Sequence, residues 1–226
     1  MRERPILFAG PMVRAIHSGE KTVTRRIVKP QYNEGPWSVR TAETPRHERH
    51  THDWWLPDGT RPYAALPHCP YGQPGDRLWV REGFWQAGEW TSAYPEGDCD
   101  HWVGSKRIHF RADGEPPNEP NRHYPNGLRN GSYAAADPHR VWRARPSIHM
   151  PRWASRILLE IIAVRVERLQ DISDEQALAE GVDQTNTSIP GYARQRFHDL
   201  WESINGAESW AANPWVWVVE FRRIAA

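Results

Sequence analysis

The chain has 226 residues, 38% of them hydrophobic, and a formal net charge of +1. That length supports one good core and is short for two ordinary domains, and the near-zero charge excludes a protein that holds long nucleic acid by bulk electrostatics. With no signal peptide, no apolar run near membrane-span length, and Cys69 and Cys99 as its two cysteines, the chain is expected in a reducing cytoplasm without a membrane partner, a disulfide between them being left open.

The predicted elements begin with a short helix over 10–18, with Pro11 at its start and Gly19 as its stop. Thr22 to Val28 then alternates as a strand, placing Thr24 and Arg26 on one face and Val23, Arg25 and Ile27 on the other. Between helix and strand, Gly19-Glu20-Lys21-Thr22-Val23-Thr24-Arg25-Arg26 gathers a lysine, hydroxyls and two guanidiniums. This is either a site or a solvated basic turn. Residues 1–30 carry seven basic side chains against Glu3 and Glu20, a balance that suits a small anionic or polar ligand.

Sixteen of the 20 prolines fall between Pro30 and Pro151, so the middle of the chain reads as loop. One insertion covers about 32–73, with His47, His50, His52, His68, Cys69 and adjacent Trp54-Trp55. A metal site using these with Cys99 and His101 is not expected, because no subset has close ligand spacing. Order returns at Pro74-Gly75-Asp76, which feeds a strand carrying Leu78 and Val80 on one face with Glu82 in register, at a wet strand end or in a cleft. A second insertion covers about 87–141, in which only 107–111 reads as a strand.

Next, Pro146 and Pro151 stiffen a segment holding His149 and Trp153, expected either to line a pocket or, for Trp153, to cap a core. Arg156 to Leu169 is a strong strand for the middle of a sheet. Ser173-Asp174-Glu175-Gln176 is a capping box with Ile172 and Ala177 as its staple, giving a helix from Asp174 to Glu180 stopped by Gly181. The helix ends on an acid, the wrong charge for a C-terminus, and shielding would raise that carboxyl's pKa. A helix after Pro190 carries Phe197, Leu200, Trp201 and Ile204 as a buried stripe, and residues 215–221 read as a buried strand. Together these predict a single α+β domain: a small, mostly antiparallel barrel with short flanking helices and two long insertions. Thirteen tryptophans suit cores and base stacking alike.

Taken in order, Gly19-x-Lys21-x-x-x-x-Arg26, Gly75-Asp76-x-Leu78-x-Val80, the strand-helix unit ending at Glu180 and Val218-Val219-Glu220-Phe221 resemble the ASCH domain, a branch of the PUA-like barrels. The long form with its Pro-Met-Val-Arg opening is similar to ASCH proteins encoded by bacteriophages and prophages. Small bacterial members hydrolyse N4-acetylcytidine with a lysine, a threonine and a glutamate. The resemblance implies Lys21, Thr24 and Glu180 as the catalytic group, and an amidohydrolase acting on a modified nucleoside without metal or cofactor. Arg25, Arg26, Glu82, His149 and Trp153 are the candidate substrate contacts. The alternatives are a module that reads a modified base in RNA or single-stranded nucleic acid, or a ribonuclease using the same pocket.

Overall fold

The computed structural model describes residues 1–32, 37–91, 101–117, 119, 141–183, 185–186 and 188–225. In chain order the elements are β1 (Glu3–Leu7), α1 (Gly10–Ser18), β2 (Val23–Ile27), β3 (Ser38–Thr41), β4 (His52–Trp55), β5 (Pro62–Ala65), β6 (Arg77–Arg81) and β7 (Phe84–Thr91). They continue with β8 (His101–Phe110), β9 (Trp142–Arg145), β10 (Leu158–Arg168), α2 (Asp174–Ala179), α3 (Tyr192–Asn205) and β11 (Trp215–Ile224). The fold is α+β with mostly antiparallel pairing. Its strands lie in three sheets, ordered β1-β6-β10-β11-β2, β3-β4-β5 and β8-β7-β9, none of which closes on itself among the described residues. The chain divides into two compact units, the first built from residues 1–4, 15–78 and 159–225, the second from 5–14 and 79–158.

In the first unit, β2 pairs antiparallel with β11, setting Thr24 opposite Val219, Arg25 opposite Val218 and Arg26 opposite Trp217. Directly opposed residues share a face, so Val23, Arg25, Val216 and Val218 form one side, and Thr24, Arg26, Trp217 and Val219 the other. The first side meets α2 and α3: Val23, Val216 and Val218 pack with Leu169, Ile172, Ala177, Phe197 and Trp201 in one buried cluster. Removing each large apolar side chain from water contributes roughly 1.5–3 kcal/mol. The capping box forms as the sequence predicts, Ser173 and Gln176 exchanging side-chain and backbone hydrogen bonds. The α3 stripe ends one turn early, however. Ile204 is 52% exposed, because the helix stops at Asn205 and its last turn has no apolar surface left to cover.

Residues 32–73, which read as loop, contain the β3-β4-β5 sheet. The strands are four residues each, too short to show a period against their Pro, Gly and Asp turns. Aromatic contacts do the work of alternation. Trp54 is 1% exposed and meets Tyr32 and Trp215 edge-on at 5.1 and 6.2 Å, while Tyr63 packs against Tyr32 and Trp37 at 5.8 and 5.1 Å. Arg168 sits 4.5 Å over Trp215 and donates to the Trp37 carbonyl at 3.0 Å.

In the second unit β7 pairs with both β8 and β9, so strand structure within 87–141 reaches well beyond the expected 107–111. Gly88 and Gly104 break the apolar pattern there, and each is where the Trp102 ring approaches, within 2.3 and 2.9 Å of where a Cβ would stand. Phe84, Met150 and Ala154 form a buried cluster with Ile108 and Phe110 packed on it.

Candidate functional site

Gly19 turns the chain out of α1 with φ of +84°, a conformation glycine adopts without penalty. Lys21 then donates its backbone N–H to the Ala15 carbonyl at 2.9 Å and forms an isolated antiparallel bridge with Glu180, while Thr22 donates to the Ala179 carbonyl at 2.9 Å. The end of α2 is thereby strapped to the turn that carries Lys21, across 159 residues of sequence.

This strap makes a buried ionic cluster. Lys21 Nζ donates to Glu180 Oε2 at 2.7 Å, to the Glu180 carbonyl at 2.7 Å and to the Val23 carbonyl at 2.9 Å. All three ammonium protons are thus engaged, and the side chains of Lys21 and Glu180 are 0% and 4% exposed. Burial lowers the Lys21 pKa from its ordinary value; Glu180 opposes that effect, and Arg26 and Arg25 add to it. Arg25 closes the other side, donating to Glu180 Oε1 at 3.3 Å, Gln176 Oε1 at 2.6 Å and Glu167 Oε2 at 3.3 Å, with its guanidinium 5.9 Å from the Phe197 ring. Arg165 then bridges Glu167 and Glu220. Charges therefore alternate from Lys21 outward through Glu180, Arg25, Glu167 and Arg165 to Glu220. A cleft of about 290 Å³ borders this chain, lined by Thr22, Val23, Gln176, Arg165 and Glu220 among others.

Lys21 and Glu180, expected as partners, are thus in direct contact. Thr24 is buried on β2, on the face shared by Arg26 and Trp217 and opposite to that of Arg25. Arg25, expected as a substrate contact, is instead bonded to Glu180. Gln176 and Glu167 escaped the sequence reading as site residues. Gln176 had a signal, standing four positions before Glu180 and so on the same helix face; Glu167 had none, since its role depends on β10 and β2 flanking β11 in the sheet.

The remaining candidates belong to the second unit. Glu82 is 1% exposed, so it stands neither at a wet strand end nor free in a cleft. Arg156 binds both its oxygens at 2.9 and 3.0 Å and also holds Asp113 at 2.6 and 2.8 Å. Burial pushes the Glu82 carboxyl up, and Arg156 opposes that shift. His149 and Trp153 sit on successive 3-10 turns. Trp153 is 52% exposed, Met150 and Ala154 taking the buried positions, which removes the core-cap role.

Among the described residues no group of three or more His, Cys, Asp or Glu is placed to hold a metal ion. His50 instead pairs with Asp53 at 2.7 Å and His47 packs edge-on against His68 at 5.1 Å; Cys99 lies outside the described residues. The fold and site define an α+β protein with a sealed lysine-glutamate-arginine cluster at the edge of a sheet. Comparison with protein-family models, curated proteins and solved structures gives no match.

Gly181 sets the tolerance of this cluster. It has φ of +79°, and a Cβ added there would stand 2.7 Å from Ala15 Cβ and 3.0 Å from Lys21 Cβ. Gly181→Ala is expected to destabilise the fold by roughly 1–3 kcal/mol, through backbone strain and overpacking together. Chemical denaturation checks this.

Proposed function

We propose that the chain is an ASCH-type, PUA-like protein and an amidohydrolase that removes an acyl group from an N-acylated nucleoside such as N4-acetylcytidine. The observation that carries this reading is the pair of Lys21 and Glu180, sealed from water with Nζ and carboxylate 2.7 Å apart. A lysine serves as a base only when neutral, and burial favours that form. Transfer of one ammonium proton to Glu180 leaves a neutral amine and a carboxylic acid. The amine takes the Thr24 hydroxyl proton as the oxygen bonds to the acyl carbon, whose C=O electron pair moves onto oxygen. Arg26, on the Thr24 face, steadies that oxyanion. Collapse breaks the C–N bond, Glu180 returns its proton to the departing nitrogen, and water then releases the acyl group from Thr24. Arg25, Gln176 and Glu167 hold Glu180 in register.

The sign of the pH dependence follows. The pair reacts while it holds one shared proton, as neutral Lys21 with protonated Glu180, so kcat/KM is expected to be bell-shaped, rising as the doubly protonated pair loses its first proton and falling as the shared proton is lost. A pH–rate profile measures it, and a rate that rises with pH to a plateau without falling contradicts a proton shared between Lys21 and Glu180.

A second reading is favoured by the three fixed acceptors on Lys21 Nζ, which make the cluster a finished structural unit. In that case the protein reads a modified base without reacting. Incubation with a panel of N-acylated nucleosides, with chromatography for product and calorimetry for binding, separates the two: deacylated product supports the enzyme, and saturable binding with the ligand recovered intact supports the reader.

A further inference from the structure

A second hollow in the first unit, about 490 Å³, is lined by Arg4, Arg49, Thr51, His52, Asp76 and Trp217 among others, a volume in the range that holds small ligands. Its walls are fixed. Asp76 accepts from the Arg2 N–H at 2.8 Å, Arg4 donates to the Pro70 carbonyl at 2.8 Å, and the buried His50–Asp53 pair ties the turn before β4 to that strand. Glu48 adds a second carboxylate to the lining, so two guanidiniums face two carboxylates and the formal charges balance. A phosphate entering here meets as much repulsion as attraction. A neutral ligand with donors and acceptors on one flat ring meets complements for both, and the imidazoles of His52 and His68 offer surfaces for that ring, Trp217 in the lining being only 4% exposed. Burial lowers the His52 pKa, with Asp53 opposing, which favours a neutral imidazole carrying one donor and one acceptor.

We propose that this cavity binds a free nucleoside, with its base against the aromatic lining and its polar edge met by Arg49, Glu48 and His52. Trp217 is the strand partner of Arg26, so the cavity lies on the Thr24 face of the sheet. The proposal does not depend on deacylation, since an unmodified nucleoside is bound without turnover.

Titration calorimetry of the full chain with adenosine, guanosine, cytidine and uridine, and with their 5′-monophosphates, tests it. At least one nucleoside is expected to bind one-to-one with Kd below about 1 mM, and its monophosphate to bind no more than about threefold tighter. Arg49→Ala removes a donor and Thr51→Trp fills the space; both positions are exposed, so the thermal midpoint should hold while affinity falls about tenfold or more. No binding by any of the four nucleosides, binding by monophosphates alone, or full affinity in both variants would each overturn the proposal.

Discussion

Lys21→Met is expected to cost the folded state roughly 3–5 kcal/mol, the range for removing one partner of a buried ion pair. The variant leaves a carboxylate whose side chain is 4% exposed with a single, longer contact to Arg25 at 3.3 Å, and it strips donors from the Glu180 and Val23 carbonyls. The double variant Lys21→Met/Glu180→Leu should recover most of the loss, because replacing both partners by apolar groups removes the desolvation cost along with the attraction. Urea denaturation of the four proteins of the cycle gives the coupling directly. If Lys21→Met unfolds within about 1 kcal/mol of the parent, the pair is solvated and its sealed geometry is wrong.

Trp54→Ala carries a comparable loss, about 3–5 kcal/mol for emptying a fully buried indole site. Trp54 joins β4 to Tyr32 and to Trp215 of β11, so its removal loosens the small sheet and the edge of the large one together. Were residues 32–73 a surface loop, the change would fall within about 0.5 kcal/mol, as surface substitutions do. The same denaturation measurement discriminates between them.

What was legible in the sequence was whatever rests on local chemistry. The capping box at Ser173, the Gly19 turn, the apolar run of β10 and the alternation of β2 depend on residues a few positions apart, and each stands where its pattern predicts. The contact between Lys21 and Glu180 was reachable only through the family resemblance, since no local rule joins residues so far apart. What stayed hidden depends on tertiary partners. Glu82 looked like a residue for water or a cleft because its partner Arg156 lies 74 positions away. Trp54-Trp55 looked like loop aromatics because strands of four residues show no period and their packing partners, Tyr32 and Trp215, lie outside them. Arg25 meets Glu180, and is not free for substrate, because β2 turns its odd-numbered face toward α2. That choice follows from which side the helices cover, a fact of packing.

The most direct measurement is the rate of acyl release from N4-acetylcytidine by the parent protein and by Thr24→Val, a near-isosteric change at a buried position that removes the hydroxyl and leaves the Lys21–Glu180 pair untouched. The parent should release the acyl group, and Thr24→Val should be slower by about a thousandfold or more, the scale for losing an activated nucleophile, while remaining folded by circular dichroism. Equal rates in the two proteins, or no release by the folded parent, would contradict a catalytic role for the Lys21, Thr24 and Glu180 group.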